Sequence, residues 1–123
     1  LLNERKNQIY AVRGNCEAEV DQMVLDFPVM ADYCILAIEG KTMYATHGHI
    51  YNKDNLPPMM DGDILIHGHT HVLKAENMGN YILLNPGSVS IPKEGNPPTY
   101  AILENGIFTI KDFEGNTVRE ITL

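Results

Sequence analysis

Apolar residues come in short runs along this chain, and most runs stop at a loop that carries polar or imidazole side chains. Gln8-Ile9-Tyr10-Ala11-Val12 ends at Arg13-Gly14-Asn15 and reads as a strand feeding a loop. Between Glu17 and Phe27 the spacing changes. Val20, Met23, Val24 and Phe27 fall three and four apart, a helical stripe that Pro28 stops. Tyr33 to Ile38, the turn Glu39-Gly40-Lys41 and Thr42 to Thr46 read as a hairpin whose second strand delivers His47 at its tip. Asn52 to Met60 reads as loop, broken by Pro57-Pro58 and leaving room for at most a short helix. Asp63 to Ile66 is a brief buried strand ending at His67-Gly68-His69, and Tyr81 to Leu84 another, ending at Asn85-Pro86-Gly87-Ser88. Beyond the turn-rich Gly95-Asn96-Pro97-Pro98, strand and turn alternate through Thr99 to Leu103, Gly106 to Asp112 and Thr117 to Leu123. The opening Leu1-Leu2-Asn3-Glu4-Arg5-Lys6 reads as the last turn of a helix. Strands prevail, and a rigid sheet edge with polar loops can bring together ligands from distant positions.

Composition narrows the function. The 123 residues, 44% of them hydrophobic, fit one domain spanning 1–123 with a real core. Nine basic residues against sixteen acidic ones give a net charge of −7, with no basic patch. Nonspecific nucleic-acid binding, which needs clustered Lys and Arg, is therefore not expected. Cys16 and Cys34 form neither a disulfide framework nor a CxxC pair, and free thiols fit a cytoplasmic location. Cys34, inside an apolar strand, is expected in the core. No apolar run approaches the roughly 18 residues of a membrane span, and no signal-peptide pattern is present.

All five histidines lie within 25 positions, in Thr46-His47-Gly48-His49 and His67-Gly68-His69-Thr70-His71. Imidazole is the commonest protein ligand for transition metals. In an extended backbone residues two apart share a face, so His69 with His71, and His47 with His49, could each face one metal. Glycines 48 and 68 leave room for close approach. A closed structural zinc site usually needs four ligands, often thiolates, so a site of His, Asn and carboxylate points to a catalytic centre with open positions. His67, outside the tighter His-x-His pair, is expected to be an ordinary hydrogen-bonded side chain.

Four motifs in order, Gly14-Asn15-Cys16-Glu17, Thr46-His47-Gly48-His49, Gly68-His69-Thr70-His71 and Asn85-Pro86-Gly87-Ser88, carry a resemblance to the calcineurin-like metallophosphoesterases. Within that superfamily the chain most resembles the YfcE group of small bacterial phosphodiesterases, related to archaeal enzymes and to the retromer subunit Vps29. The resemblance covers essentially the whole chain. It implies an α/β fold, a four-layer αββα sandwich with two packed sheets. It also implies two divalent ions, Mn²⁺ first, with Zn²⁺, Fe²⁺ or Ni²⁺ as alternatives, and a metal-bound hydroxide that attacks a small-molecule phosphodiester. Asn15, His47 and His69 match ligands of one ion, and His71 matches a ligand of the other.

Such proteins usually supply further ligands earlier, an Asp-x-His pair and a bridging Asp in a Gly-Asp motif. Neither pattern stands among the thirteen residues before Gly14, and Gly62-Asp63 falls too late to be the bridge. The resemblance thus implies the strand-rich C-terminal two-thirds of such a domain, with one centre keeping three ligands and the other one. Activity of this chain alone is then expected to be impaired. Exposed sheet edges would favour a homo-oligomer or completion of the sheet by another polypeptide.

Many relatives carry His where Cys16 stands, the usual donor of a proton to the leaving oxygen. A thiol beside two dications ionises readily and then cannot donate, so the resemblance implies esters with good leaving groups. Packing of Cys16 beside the helix start is the competing expectation. His49, like Cys16 a candidate catalytic residue, is expected to face the substrate phosphate or hold the ligands' geometry. Glu17 is expected to support the first turn of the helix, and Asn85-Pro86-Gly87-Ser88 to shape the site edge through its turn. A noncatalytic, Vps29-like interaction scaffold is the alternative function. A pure scaffold, however, has no physical need for convergent imidazoles.

Overall fold

In the computed structural model, which describes residues 1–123, Glu39 and Gly40 both adopt left-handed backbone, with φ of 51° and 78°. Two consecutive positive φ values make a two-residue turn whose twist matches that of paired strands. It joins β1 (Tyr33–Ile38) to β2 (Lys41–Thr46), with Ile38 opposite Lys41 and Tyr33 opposite Thr46. β3 (Ile64–His67) then runs parallel to β2, and β5 (Ile82–Asn85) parallel to β3, while β4 (Lys74–Asn77) lies antiparallel on the outer side of β5. The resulting five-stranded sheet has the order β1-β2-β3-β5-β4. β6 (Thr99–Glu104), β7 (Ile107–Asp112) and β8 (Thr117–Thr122) form a second, antiparallel sheet.

Strand alternation assigns two buried faces to the larger sheet. Met43, Ile64 and Leu84 point one way and meet Phe108 and Ile110 of β7, with Leu73 filling in, so this core lies between the sheets. Tyr44, Leu65 and Leu83 point the other way and pack with Tyr81, Tyr33 and Met59. The loop after β2 covers that face, and the Tyr44 hydroxyl donates to the Pro58 carbonyl at 3.0 Å. Leu65, Leu84 and Ile110 are fully buried. Burial of both faces explains why β3 and β5 read as continuous apolar runs.

The two packed sheets of the expected α/β sandwich are present, and the seven strands read from apolar runs after Pro28 lie where expected within one or two residues. Helix is limited to a 3₁₀ segment (Asn3–Gln8) and α1 (Glu19–Val24). Three expectations need correction, and one strand went unread. Residues 8–12 form no strand: Ile9 is extended, at φ −116° and ψ 126°, but no strand pairs with the segment and Tyr10 is exposed. The helix is six residues long, under two turns, and Leu25 is already extended. Its Val20, Met23 and Val24 face solvent, and only Phe27, beyond the helix, is buried. Cys34 is half-buried on the edge strand β1 rather than in either core cluster, and burial pushes its thiol pKa up. β4 went unread because Lys74-Ala75-Glu76-Asn77 has no apolar alternation, as suits a polar edge strand.

The parallel strands β2, β3 and β5 end at one edge of the sheet, at Thr46, His67 and Asn85. Asn85 has no exposed surface. Its amide donates to the Gly68 carbonyl at 3.2 Å and the Thr70 hydroxyl at 3.1 Å, and its oxygen accepts the Gly87 N–H at 2.9 Å. It therefore ties the loop after β3 to the loop after β5.

Replacing Asn85 by Ala empties a fully buried position and removes three hydrogen bonds between the two loops, and should cost about 2–4 kcal/mol, read as a lower denaturant midpoint. A second prediction concerns Asp112, whose carboxylate accepts from Asn116 Nδ2 and from the Asn116 and Glu114 N–H groups. The Asn116 side chain foremost holds this carboxyl below its ordinary 3.8. The stabilisation is present above 3.8 and is lost as pH falls through the lower folded value. Asp112→Ala should lower the thermal midpoint at neutral pH, and the difference should vanish in strong acid.

Candidate metal centre

His47 is the first residue past β2, and the Gly68 N–H donates to its carbonyl at 2.9 Å, carrying the β2–β3 ladder one step beyond the strands. This contact sets the two histidine loops side by side. Gly48 makes the approach feasible: at φ 116°, a Cβ there would stand 2.8 Å from His67 Nδ1 and 3.1 Å from His69 Cβ. The rings of His47 and His69 have centroids 5.0 Å apart, and those of His47 and His49 are 5.2 Å apart.

The nitrogen at the middle of this group is His47 Nε2. Asn15 Oδ1 lies 2.9 Å from it and His69 Nδ1 3.1 Å from it. A ring nitrogen carries one in-plane proton or one lone pair, so His47 Nε2 serves only one such neighbour well as a hydrogen-bonding group. A cation among the three donors satisfies both contacts. Adjacent ligands of an octahedral ion bound at about 2.1 Å stand about 3 Å apart, which the two distances match. Burial first, and then the neighbouring His69 and His49 rings, lower the pKa of His47, keeping its lone pair available. Glu17 opposes that shift. The donor set fits one divalent ion with open positions. No three His, Cys, Asp or Glu side chains converge on one point, so the Asn15 amide oxygen is needed to make up the trio.

The alternation expected for the His-x-His pairs is not what the loops adopt. His69 and His71 are left-handed, at φ 64° and 62°, and their Nδ1 atoms find different partners. His71 Nδ1 lies 2.9 Å from the Ile91 carbonyl, which fixes the proton there and leaves the Nε2 lone pair free. The Lys93 N–H holds the His71 carbonyl at 3.2 Å. His67 is hydrogen-bonded as expected, through Nδ1 to the Gly68 carbonyl at 3.0 Å, but it is buried, and burial lowers its pKa. His49 is half-buried, and its Nδ1 is inaccessible and without a partner.

Cys16 follows Asn15 directly; it is free and exposed, so it does not pack beside the helix start. Glu17 makes no hydrogen bond to the helix start. Asp21 makes the capping bond, accepting the Ala18 N–H at 2.8 Å, while Glu17 lies against Gly14 with a buried, unpartnered Oε2. Asn85, read from sequence as a turn residue, proves to be the anchor of the His69 loop. Its signal would have been a polar residue closing an apolar strand.

The residues from 2 to 106 match the calcineurin-like phosphoesterase superfamily domain. The chain is 46% identical over 109 residues to the phosphodiesterase YfcE of Escherichia coli strain K12, an alignment covering 89% of this chain and 59% of that protein. The chain thus spans about 59% of the length of that curated relative. The solved structure of the E. coli phosphoesterase YfcE superposes with a TM-score of 0.94 at 41% identity, over 98% of this chain and 67% of the other. Vps29 of Chaetomium thermophilum shares the fold alone, at a TM-score of 0.56 and 15% identity over 90% of this chain and 65% of that one. This chain belongs to the calcineurin-like phosphoesterase superfamily.

Proposed function

We propose that the chain acts in metal-dependent hydrolysis of small phosphodiesters, as one calcineurin-like domain that spans residues 1–123 and works in the cytoplasm. The observation that carries this reading is the convergence of Asn15 Oδ1 and His69 Nδ1 on His47 Nε2, at 2.9 and 3.1 Å. Asn15, His47 and His69 hold one divalent ion, and His71, with Nε2 free, contributes to a second. Bound divalent ions supply charge neutralisation at the phosphoryl oxygens and activation of the attacking water. The family resemblance puts Mn²⁺ first, while a set of two imidazoles and an amide oxygen also accommodates Zn²⁺, Fe²⁺ and Ni²⁺.

In this reading His49, whose ring lies 5.2 Å from that of His47, donates to a phosphoryl oxygen. Glu17 supplies the one carboxylate felt at His47. Cys16, exposed next to Asn15, occupies the proton-donor position without being an effective donor, which favours esters whose leaving group needs no proton. The net charge of −7 supports a small substrate over a polyanion. Convergent imidazoles weigh against a purely scaffolding role. The two free thiols support the cytoplasmic assignment, and no helix is long and apolar enough to cross a membrane.

Calorimetric titration of the metal-free chain with Mn²⁺ should show binding that His47→Ala and Asn15→Ala each weaken at least about tenfold, with circular dichroism unchanged. Equal affinity in all three proteins refutes the centre. In a protein that carries a full ligand set, Cys16→His should speed hydrolysis of diesters with poor leaving groups by about 10²-fold or more and leave activated aryl diesters little changed. An unchanged rate on poor leaving groups sinks the assignment for Cys16.

A further inference from the structure

A polar cavity of about 240 Å³ opens beside the imidazole cluster and shares His49 and His69 with it. Its far side is built by the loop after β2 and by the start of β4, which bring in Lys53 and Lys74. Only one lining residue, Leu83, is hydrophobic. The volume lies below the roughly 300–1,000 Å³ of pockets that take a whole ligand, so the space suits one polar arm of a molecule.

The loop that presents Lys53 is held by its own side chains. Asn52 Nδ2 donates to the Gly48 carbonyl at 3.1 Å, and Asn52 Oδ1 accepts the Asp54 and Asn55 N–H groups at 2.9 and 3.2 Å. Lys53 follows this anchor directly, and no carboxylate pairs with it. Lys74 pairs with Glu76 at 3.6 Å, a half-exposed contact of the kind that exchanges readily. Thr70 adds a third donor: its hydroxyl oxygen accepts from Asn85 Nδ2 and from the Val72 N–H, which leaves its proton free. Asp54 is the opposing charge on the lining. Two of nine basic residues thus meet at one cavity in a chain of net charge −7.

We propose that this cavity is an anion subsite for the non-reacting arm of the phosphodiester, recognising a second phosphate group through Lys53, Lys74 and Thr70. The identity of the arm rests on the phosphodiesterase reading, whereas anion binding in the cavity does not. Because His49 and His69 line both the imidazole cluster and the cavity, a diester seated at that cluster would have the cavity beside it for its other substituent. Lysine ammonium groups bind phosphate as point charges. The subsite would therefore favour a diester with an additional phosphate over one with two uncharged arms.

The test uses the ¹⁵N-labelled chain in EDTA, titrated with inorganic phosphate and separately with glycerol. Removing metal keeps the outcome independent of the metal centre. Phosphate should shift the amides of Lys53, Thr70 and Lys74, and glycerol should not. Lys53→Met and Lys74→Met should each weaken phosphate about fivefold, with spectral dispersion retained as evidence of folding. Shifts confined to Asn15, His47 and His71, or unchanged affinity in both variants, would overturn the subsite, as would equal shifts with glycerol. Loss of Mn²⁺ binding in its own titration, with phosphate binding intact, would instead remove the metal centre and spare the subsite.

Discussion

Parallel register at the carboxyl edge of the larger sheet is the constraint on which the site depends. Thr46 stands opposite His67, and the next ladder step joins the Gly68 N–H to the His47 carbonyl at 2.9 Å. The backbone positions of His47 and His69 are therefore set by strand pairing before any side-chain contact forms. A one-residue slip of β2 against β3 would carry Met43 and Tyr44 to opposite faces, exchanging members of two buried cores. Core packing thus protects the register, and the register protects the imidazole geometry. The crevice beyond the carboxyl ends of parallel strands is where α/β sheets commonly place ligands.

Holding the loops in this shape costs conformational energy. His69 and His71 both adopt left-handed backbone, at about 1–2 kcal/mol each for a residue with a Cβ. The loop around them supplies the compensation. Asn85 binds Gly68 and Thr70 from below, while the Ile91 carbonyl and the Lys93 N–H hold His71 on both its ring and its carbonyl. The two turns aim the imidazoles differently, so one short motif serves two directions. Extended backbone could not do that, since it would present both rings to the same side.

The sequence was most legible where packing dictates pattern. Apart from the polar edge strand β4, the strands after Pro28 alternate or run apolar because at least one face packs on a core, and Glu39-Gly40 and Asn105-Gly106 mark hairpin turns with two consecutive positive φ values. The donor cluster was legible as a set of residue types, since Asn15, His47 and His69 do come together. Their geometry was not, because alternation holds for strands and these residues lie in turns. Legibility also failed where a segment lacks partners. Residues 8–12 have strand composition without a neighbouring strand, and α1 has a helical stripe with nothing packed on Val20, Met23 or Val24. Periodicity reports the burial a segment is suited to, while structure reports the burial it finds. Glu17 and Asp21 illustrate a finer limit: both are acidic residues near one helix start, and only the hydrogen bond to Ala18 shows which of them caps it.

Electrostatics joins the cluster to the rest of the chain. Burial and the neighbouring rings make protonation of His47 unfavourable, so its lone pair stays open to a cation other than H⁺. The net charge of −7 enriches cations near the surface and repels polyanions. Taken alone, that field would also repel a phosphodiester. A divalent ion held at Asn15, His47 and His69 would reverse the sign locally, and Lys53 and Lys74 would extend the positive region across the adjoining cavity. Attraction then depends on a short-range arrangement of charge rather than on the field of the whole protein, and it acts over about one Debye length, some 8–10 Å at physiological salt. A compact substrate can fit its charges within that radius, and a long polyanion cannot. Under the proposed function, the same acidic surface that disfavours a polyanion would leave a small diester a place to bind, provided the metal comes first.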